Sequence, residues 1–251
     1  MRAEESSIRL CCVGTGDAFG SGGRLNSCYH FTVADQQLLI DCGSSSLIGL
    51  QQCGLAASRI GAVVVSHLHG DHFGGIPYLL LEGQFASRRK DPLLLAGPAG
   101  LQAQVEAACE ALYPGALSEG VSFPVTYRIL DPALPLKIGP AVVSCLPVKH
   151  GKSEQVYGLR LEVAGKVVSY TGDTEWTDTL LALTQGSDLL IAECFAYEQP
   201  VPSHLDYRTL LRQLSRMDCR RIVLTHMGPE MLERLEQLTL ETLNDGDVLV
   251  I

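Results

Sequence analysis

Short apolar runs recur along the whole chain and predict a protein rich in β-structure. Many of these runs carry β-branched residues and are bounded by Gly, Pro or Asp, as strands usually are. Ala164-Gly165 separates two of them and is typical of a tight hairpin turn. The predicted strands are Ile8–Gly14, Cys28–Val33, Gln37–Cys42, Ala62–Ser66, Pro92–Ala96, Ala141–Val148, Val156–Val163, Lys166–Tyr170, Leu189–Glu193, Arg221–Thr225 and Val248–Ile251.

Between the strands, apolar residues recur at a spacing near 3.6 and predict amphipathic helices. Asp206 is the expected N-cap of one of them. Strands mixed with helices, with no linker rich in Pro, Gly or Ser, predict a single α/β domain over residues 1–251, in which two packed sheets lie between outer helices. The predicted helices are Ser44–Gln52, Gly75–Phe85, Pro98–Tyr113, Thr177–Gln185, Tyr207–Met217 and Pro229–Leu238.

Composition narrows the classes of partner. The net charge is −9, from 28 acidic and 19 basic side chains, whereas proteins that grip nucleic acid usually display a basic patch. Nucleic acid is therefore not the favoured partner. No apolar run reaches the length of a membrane helix, and Met1–Ser7 lacks a signal-peptide core, so a cytoplasmic protein with no membrane partner is expected. The nine cysteines include no Cys-x-x-Cys pair and are interpreted as small buried apolar residues.

The strongest chemical signal is the segment Ser66-His67-Leu68-His69-Gly70-Asp71-His72. It holds four side chains that can bind a metal, and it directly follows an apolar strand. Alternation along an extended chain lets His67 and His69 point to one side, while Asp71 and His72 turn toward a second point. Imidazole and carboxylate suit zinc, and iron or manganese use the same ligands. Because one ion needs only three or four protein ligands, four in this segment together with others elsewhere in the chain indicate two divalent ions.

Three more candidate ligands occupy one topological position. His150, Asp173 and His226 each lie at or just beyond the C-terminal end of an apolar strand, as His67 does. A single histidine in such a position is usually structural. Several together are better explained as one site built on the rim of a sheet.

The pattern His67-x-His69-x-Asp71-His72, followed by His150, Asp173 and His226, resembles the metallo-β-lactamase superfamily. Within it, the chain looks most like the small phosphodiesterase branch around ribonuclease Z and the carbon–phosphorus-pathway cyclic phosphodiesterases. Four further stretches carry this resemblance, namely Val13-Gly14-Thr15-Gly16-Asp17-Ala18, Leu39-Ile40-Asp41-Cys42-Gly43, Ser203-His204-Leu205-Asp206 and Ile222-Val223-Leu224-Thr225-His226.

The resemblance implies an αββα sandwich with a dinuclear site at one edge. Asp173 would bridge the two ions, and Asp41 would orient a ligand or a loop. The first ion would be held by His67, His69 and His150, and the second by Asp71, His72 and His226.

Two histidines lie outside this ligand set. The resemblance implies that His204 stabilises a phosphoryl oxygen or protonates the leaving oxygen, the alternative being a capping or hydrogen-bonding role. Asp71 and His204 are therefore the candidate catalytic residues. His30 matches no motif and is interpreted as structural. The glycine-rich segment Gly14–Gly23 is either a loop beside the metal site or a flexible turn between strands.

These features predict a dinuclear metal-dependent hydrolase in which a hydroxide shared by the two ions is the nucleophile. We expect a phosphodiesterase for small diesters such as cyclic nucleotides, because an anionic substrate gains most from a cationic clamp. Zinc is the default ion, and a homodimer is expected by analogy only.

Three alternatives stay open. One is a lactonase or thioesterase, and another is a metal-holding module without turnover. The third is a transfer-RNA 3′-processing nuclease. His150 and Asp173 are only 23 positions apart, which leaves no room between them for the long RNA-gripping arm that the resemblance to ribonuclease Z would imply. The chain also lacks the cysteine-rich zinc cluster of the carbon–phosphorus-pathway enzymes.

Overall fold

The computed structural model describes residues 8–152 and 155–251, which contain strands and helices in alternating groups. The strands are β1 (Ile8–Gly14), β2 (Cys28–Val33), β3 (Gln36–Ile40), β4 (Ala62–Val64), β5 (Leu93–Gly97), β6 (Val125–Ile129), β7 (Leu136–Ile138), β8 (Ala141–Pro147), β9 (Tyr157–Val163), β10 (Lys166–Tyr170), β11 (Leu189–Glu193), β12 (Ile222–Thr225), β13 (Glu241–Thr242) and β14 (Val248–Val250). The α-helices are α1 (Ser46–Gln52), α2 (Gly70–Phe73), α3 (Ile76–Leu81), α4 (Leu101–Leu112), α5 (Thr179–Thr184), α6 (Tyr207–Gln213) and α7 (Pro229–Leu232).

The strands form two seven-stranded mixed sheets, with the orders β14-β1-β2-β3-β4-β5-β6 and β13-β12-β11-β10-β9-β8-β7. Both sheets follow one pattern. Strands β14-β1-β2-β3 and β7-β8-β9-β10 pair antiparallel, and the three strands that follow on each sheet pair parallel. The carboxyl ends of parallel strands lie at the same edge of a sheet, and this edge carries the candidate ligands.

The main apolar core lies between the two sheets. It joins Leu10, Phe31 and Val64 of the first sheet to Leu161 and Ile191 of the second. Separate apolar clusters fill the outer faces, under α1, α3 and α4 on one side and under α5, α6 and α7 on the other. Because the inner strands are covered on both faces, they are apolar almost throughout. This arrangement confirms the predicted αββα sandwich.

Three short strands, β6, β7 and β13, were absent from the sequence-based prediction. Each lies at the edge of its sheet, and their residues are mostly half-buried or exposed. An edge strand buries few side chains, so its sequence lacks the apolar run that marks a central strand. The hairpin turn at Ala164-Gly165 is confirmed, and both residues have the positive φ (51° and 73°) that such a turn requires.

Three predicted helices are not α-helical throughout, and the one expected over Tyr207–Met217 is α6 followed by a 3₁₀ turn over Leu214–Arg216. The helix expected over Gly75–Phe85 is α3 followed by a π-helical turn over Glu82–Ala86. The helix expected over Pro229–Leu238 stops after Leu232 and resumes as a 3₁₀ turn at Leu235–Gln237. Residues 70–73, at the end of the candidate metal-binding segment, form the short helix α2. Among the described residues, no helix has the length and apolarity to cross a bilayer.

All nine cysteines are free, and seven of them are buried. The exceptions, Cys53 and Cys219, are half-buried. Burial raises the pKa of the Cys42 thiol to about 12, so this group stays neutral. These positions agree with the interpretation of the cysteines as small apolar residues.

The turn after β3 presses directly against the segment that carries Asp71 and His72. The amide of Cys42 donates to the carbonyl of His72 (2.7 Å), and the amide of Gly75 donates to the carbonyl of Cys42 (2.8 Å). A Cβ on Gly43 would lie 2.2 Å from the backbone oxygen of Asp71. Only glycine therefore fits between this turn and the candidate ligands.

We predict that Gly43→Ala destabilises the fold by about 1–3 kcal/mol, because the added methyl group overlaps fixed backbone. The matched control is Gly61→Ala, whose Cβ would lie 3.6 Å from the nearest atom and should change stability by less than about 0.5 kcal/mol. Thermal unfolding of both variants measures the difference. Equal midpoints for the two variants would contradict the prediction.

Candidate metal centre

The candidate ligands come from both sheets and meet at one edge of the sandwich. The Ser66–His72 segment follows β4, His150 follows β8, Asp173 follows β10 and His226 follows β12. The structure brings all seven predicted ligands together in two adjacent groups. In each group the possible ligand atoms lie within 4.8 Å of one another. The first group is His67, His69 and His150, and the second is Asp71, His72, Asp173 and His226.

Asp173 belongs to the second group and also lies close to the first. Its Oδ2 is 3.9 Å from Nε2 of both His67 and His150, and 3.3 Å from Nε2 of His226. Its Oδ1 is 3.3 Å from Nε2 of His72. A carboxylate in this position can contact two ions at once, which agrees with the bridging role that the resemblance implied.

The atoms that face the centre are suited to binding a cation. Nε2 of His67, Nε2 of His72 and Oδ1 of Asp173 are buried and have no hydrogen-bond partner among the described residues. A buried polar atom without a partner costs free energy, so such atoms are rare in folded proteins. Here three of them converge, and they belong to the residue types that coordinate zinc, iron or manganese.

The other ring nitrogen of four histidines is held by an outer partner. Such a bond fixes the ring orientation and favours the tautomer whose free nitrogen faces the centre. The pairs are His72 Nδ1 with Asp41 Oδ2 (2.7 Å), His150 Nδ1 with the Ser203 carbonyl (2.8 Å), His67 Nδ1 with Ser66 Oγ (3.1 Å) and His226 Nδ1 with Ser27 Oγ (3.4 Å).

Asp41 organises the largest part of this outer layer. Besides contacting His72, it accepts hydrogen bonds from the amide (2.7 Å) and the hydroxyl (2.8 Å) of Ser66. Asp41 is fully buried and has a φ of +57°, a conformation that Asp and Asn tolerate better than other side chains. These contacts to His72 and Ser66 are of the kind expected of a residue that orients a ligand or a loop.

The electrostatics favour positive charge between the carboxylates. Burial lowers the pKa of His67 well below its usual value, and burial also lowers that of His150, so both rings are neutral and able to bind a cation. Burial also acts against charge on His72, but Asp173 and Asp41 outweigh it and raise the pKa of this ring. The carboxylates that favour a proton here would equally favour a metal ion.

His204 lies beside the centre and is held by Glu193, a residue that the sequence reasoning did not single out. A ring nitrogen of His204 is within 4.8 Å of ligand atoms of His150 and Asp173. Its Nδ1 is 3.2 Å from Oε1 of the fully buried Glu193. Burial lowers the pKa of His204, but the hydrogen bond and charge of Glu193 outweigh it, so this pKa is raised. The ring of Phe195 stacks on His204 at 4.8 Å.

Only one feature of the sequence could have indicated Glu193. It is a lone carboxylate that ends an otherwise apolar strand, the kind of position that Asp173 also occupies. It accepts hydrogen bonds from the amides of Thr174 and Leu205 as well as contacting His204. Glu193 therefore ties three segments of the rim together.

His30 and the Gly14–Gly23 segment differ in their relation to the centre. His30 is buried in β2, and its Nε2 contacts Oε1 of Gln37 (3.2 Å), which agrees with a structural role. The Gly14–Gly23 segment lies beside the centre, because the carbonyl of Thr15 accepts from the amide of His226 (2.9 Å). Asp17 orders its apex by accepting from the amide and hydroxyl of Ser21.

Comparisons with known proteins agree with this geometry. A family model described as Anti-Pycsar protein Apyc1 matches residues 8–244. The chain is 30% identical over 181 residues to Anti-Pycsar protein Apyc1 of Paenibacillus sp., covering 70% of each chain. It is 24% identical over 278 residues to ribonuclease Z of Methanosarcina acetivorans, covering 92% of this chain and 91% of that one.

A third relative also has a known structure. The probable metallo-hydrolase YhfI of Bacillus subtilis is 26% identical over 226 residues, covering 88% of this chain and 87% of its own. Its crystal structure superposes with a TM-score of 0.80 over 98% of this chain and 100% of that chain, at 23% identity. The predicted fold, the ribonuclease Z-like branch of the metallo-β-lactamase superfamily and the prediction of a metal-dependent hydrolase are thereby confirmed.

We predict that Asp41→Asn weakens metal binding about 10- to 100-fold, because loss of an outer-layer carboxylate has effects of that size. Asparagine keeps the shape of the side chain and tolerates the positive φ, so the fold should survive. Competition for Zn²⁺ with a coloured chelator measures the affinity. Asp131→Asn, which changes an exposed loop carboxylate that accepts from the amide of Ala133, is the control. Unchanged affinity in Asp41→Asn would contradict the prediction.

Proposed function

The chain belongs to the Anti-Pycsar protein Apyc1 family, and on this premise we propose that it is a dinuclear metal-dependent phosphodiesterase acting on small diesters of the cyclic-nucleotide class. One observation carries the proposal. Asp173 belongs to the second group of ligands and also lies 3.9 Å from two members of the first, and a histidine held by a buried carboxylate stands beside both groups. This combination pairs a cationic centre with a proton donor, which suits attack on an anionic diester.

In this proposal each ligand group would hold one divalent ion, with zinc as the default and iron or manganese as alternatives. When bound, such ions lower the pKa of water toward neutrality and stabilise negative charge on phosphoryl oxygens. Asp173 would help to hold both ions. The first ion would be held by His67, His69 and His150, and the second by Asp71, His72 and His226.

His204 would supply the proton. Its ring is only about one-fifth exposed, and its Nδ1 faces Glu193. The carboxylate favours the protonated ring and fixes its plane, so the opposite nitrogen can donate to a phosphoryl oxygen or to the leaving oxygen. Phe195 restricts the ring from one side by stacking on it. Asp71 would act through the ion that it holds, so Asp71 and His204 are the proposed catalytic residues.

The size and lining of the cleft beside the first ligand group favour a compact substrate. It has a volume of about 410 Å³. Its lining among the described residues contains no Lys or Arg, and it consists of His67, Leu68, His69, Pro98, Ala99, Gln155 and Val156. Apolar walls suit the flat uncharged part of a mononucleotide, whereas a long RNA backbone requires several cationic contacts. In the sequence, the hairpin of β9 and β10 occupies most of the interval between His150 and Asp173, so little chain is left there for an arm that grips RNA.

A panel of substrates tests the proposal. The purified protein, with its metal content counted by elemental analysis, should hydrolyse bis(p-nitrophenyl) phosphate and 3′,5′-cyclic mononucleotides. A p-nitrophenyl carboxylate ester, an acyl lactone and a transfer-RNA precursor should be poor substrates. Faster turnover of the lactone or the carboxylate ester would favour an acyl hydrolase. Faster cleavage of the precursor would favour a nuclease of the ribonuclease Z type.

We predict that His204→Ala lowers kcat on the diester about 10²- to 10⁴-fold, the range for loss of a general acid. The number of bound metal ions should stay the same, because this residue belongs to neither proposed ligand group. Elemental analysis alongside steady-state kinetics separates the two effects. If kcat stays at the wild-type value while metal is retained, His204 has no catalytic role.

Glu193→Gln should lower kcat by a smaller factor, about 10- to 100-fold. It removes a charge-assisted hydrogen bond worth about 1.5–3 kcal/mol while keeping the shape of the side chain. The matched control is Glu162→Gln, which alters an exposed carboxylate paired with Arg160 and should leave kcat unchanged. The same loss in both variants would show that the effect is not specific to the partner of His204.

A further inference from the structure

A tight turn precedes His204. The amide of His204 donates to the carbonyl of Val201 (3.1 Å), and Pro202 and Ser203 form the two central positions. Ser203 has a φ of +74°. Turns with proline in the second position and a positive φ in the third favour glycine there, because a side chain is strained in that conformation. A serine is therefore expected here only if its side chain makes contacts that offset this strain.

The polar groups of Ser203 connect the turn to a candidate metal ligand. Its carbonyl accepts from Nδ1 of His150 (2.8 Å), and its hydroxyl accepts from the amide of Gly151 (2.9 Å). Two bonds thus join Ser203 to consecutive residues of one loop. Glycine would keep the first of them and lose the second.

A third bond anchors the turn from the other side. The amide of Ser203 donates to Oε1 of Glu175 (2.9 Å). Glu175 is itself fixed to Lys149, through an ion pair of 2.8 Å and through its own amide, which donates to the Lys149 carbonyl (2.8 Å). Ser203 is therefore clamped between the residues that flank His150 in the chain.

We propose that Ser203 is a positioning residue that couples the first ligand group to His204. Its carbonyl accepts from Nδ1 of His150, which leaves Nε2 unprotonated on the side of the ring that faces His69 and the centre, and its hydroxyl keeps that carbonyl in place. Because His204 is the next residue, the same clamp sets the position of the proposed proton donor. This inference rests on the proposed function in assuming that His150 binds a metal ion and that His204 is the proton donor.

Ser203→Gly distinguishes a structural role of Ser203, whose loss would lower thermal stability, from a positioning role, whose loss would weaken metal binding. Glycine relieves the strained φ, so the metal-free protein should unfold at the same temperature as the wild type or at a higher one. If Ser203 positions His150, one of the two Zn²⁺ ions should nevertheless be lost to a chelator about tenfold more readily, the lower end of the effect of outer-layer changes. Ser203→Ala should show the same loss of affinity without the relief of strain.

The second anchor offers a test by rescue. Glu175→Ala removes the acceptor for the Ser203 amide and should also weaken one Zn²⁺ site about tenfold. Glu175→Gln keeps an amide oxygen as acceptor and should bind zinc nearly as the wild type does. The control is Ser118→Ala, which removes an exposed hydroxyl that donates to the Gly115 carbonyl. It should change neither the zinc affinity nor the thermal stability.

Co²⁺ in place of Zn²⁺ adds a spectroscopic reading, since its visible absorption changes with the geometry of the ligands. Altered Co²⁺ spectra and weaker binding of one ion in Ser203→Gly, with unchanged or raised thermal stability, would support the proposal. Wild-type affinity for both ions in Ser203→Gly and Ser203→Ala would overturn it. Neither measurement uses a substrate, so the result is independent of whether the protein hydrolyses phosphodiesters.

Discussion

Buried imidazoles and carboxylates crowded at one edge of the sandwich impose the constraint on which the rest of this molecule depends. Polar atoms of His67, His72 and Asp173 lie out of water without hydrogen-bond partners among the described residues. Such an arrangement is costly unless a cation lies between these groups. The surrounding structure is then best understood as a frame that holds the side chains close together despite this cost.

The frame is built from the shared pattern of the two sheets. In each sheet, antiparallel strands lead into parallel ones, and the ends of β4, β10, β11 and β12 place their next residues on one rim. Rigid strand ends hold the ligands, while Asp41, Glu193 and Ser203 fix the outer sides of the rings. Precision at the centre thus depends on hydrogen bonds made by residues that need not touch an ion.

Much of this could be predicted from the sequence, because burial on both faces leaves a continuous apolar signal in central strands. The cluster from His67 to His72 is also unusual enough to mark a metal site without any structure. The edge strands β6, β7 and β13 were missed, since they bury too little to differ from loops. Glu193 and Ser203 were not recognised because their importance lies in tertiary contacts, which a local pattern does not show.

In the proposed function, two ions act together on a phosphodiester. The most direct test is to strip the protein of metal and titrate it with Zn²⁺, counting bound ions while following hydrolysis of bis(p-nitrophenyl) phosphate. Turnover that stays low through the first equivalent and rises with the second is the predicted result. Full turnover with one ion bound, or none with two bound, would contradict the account.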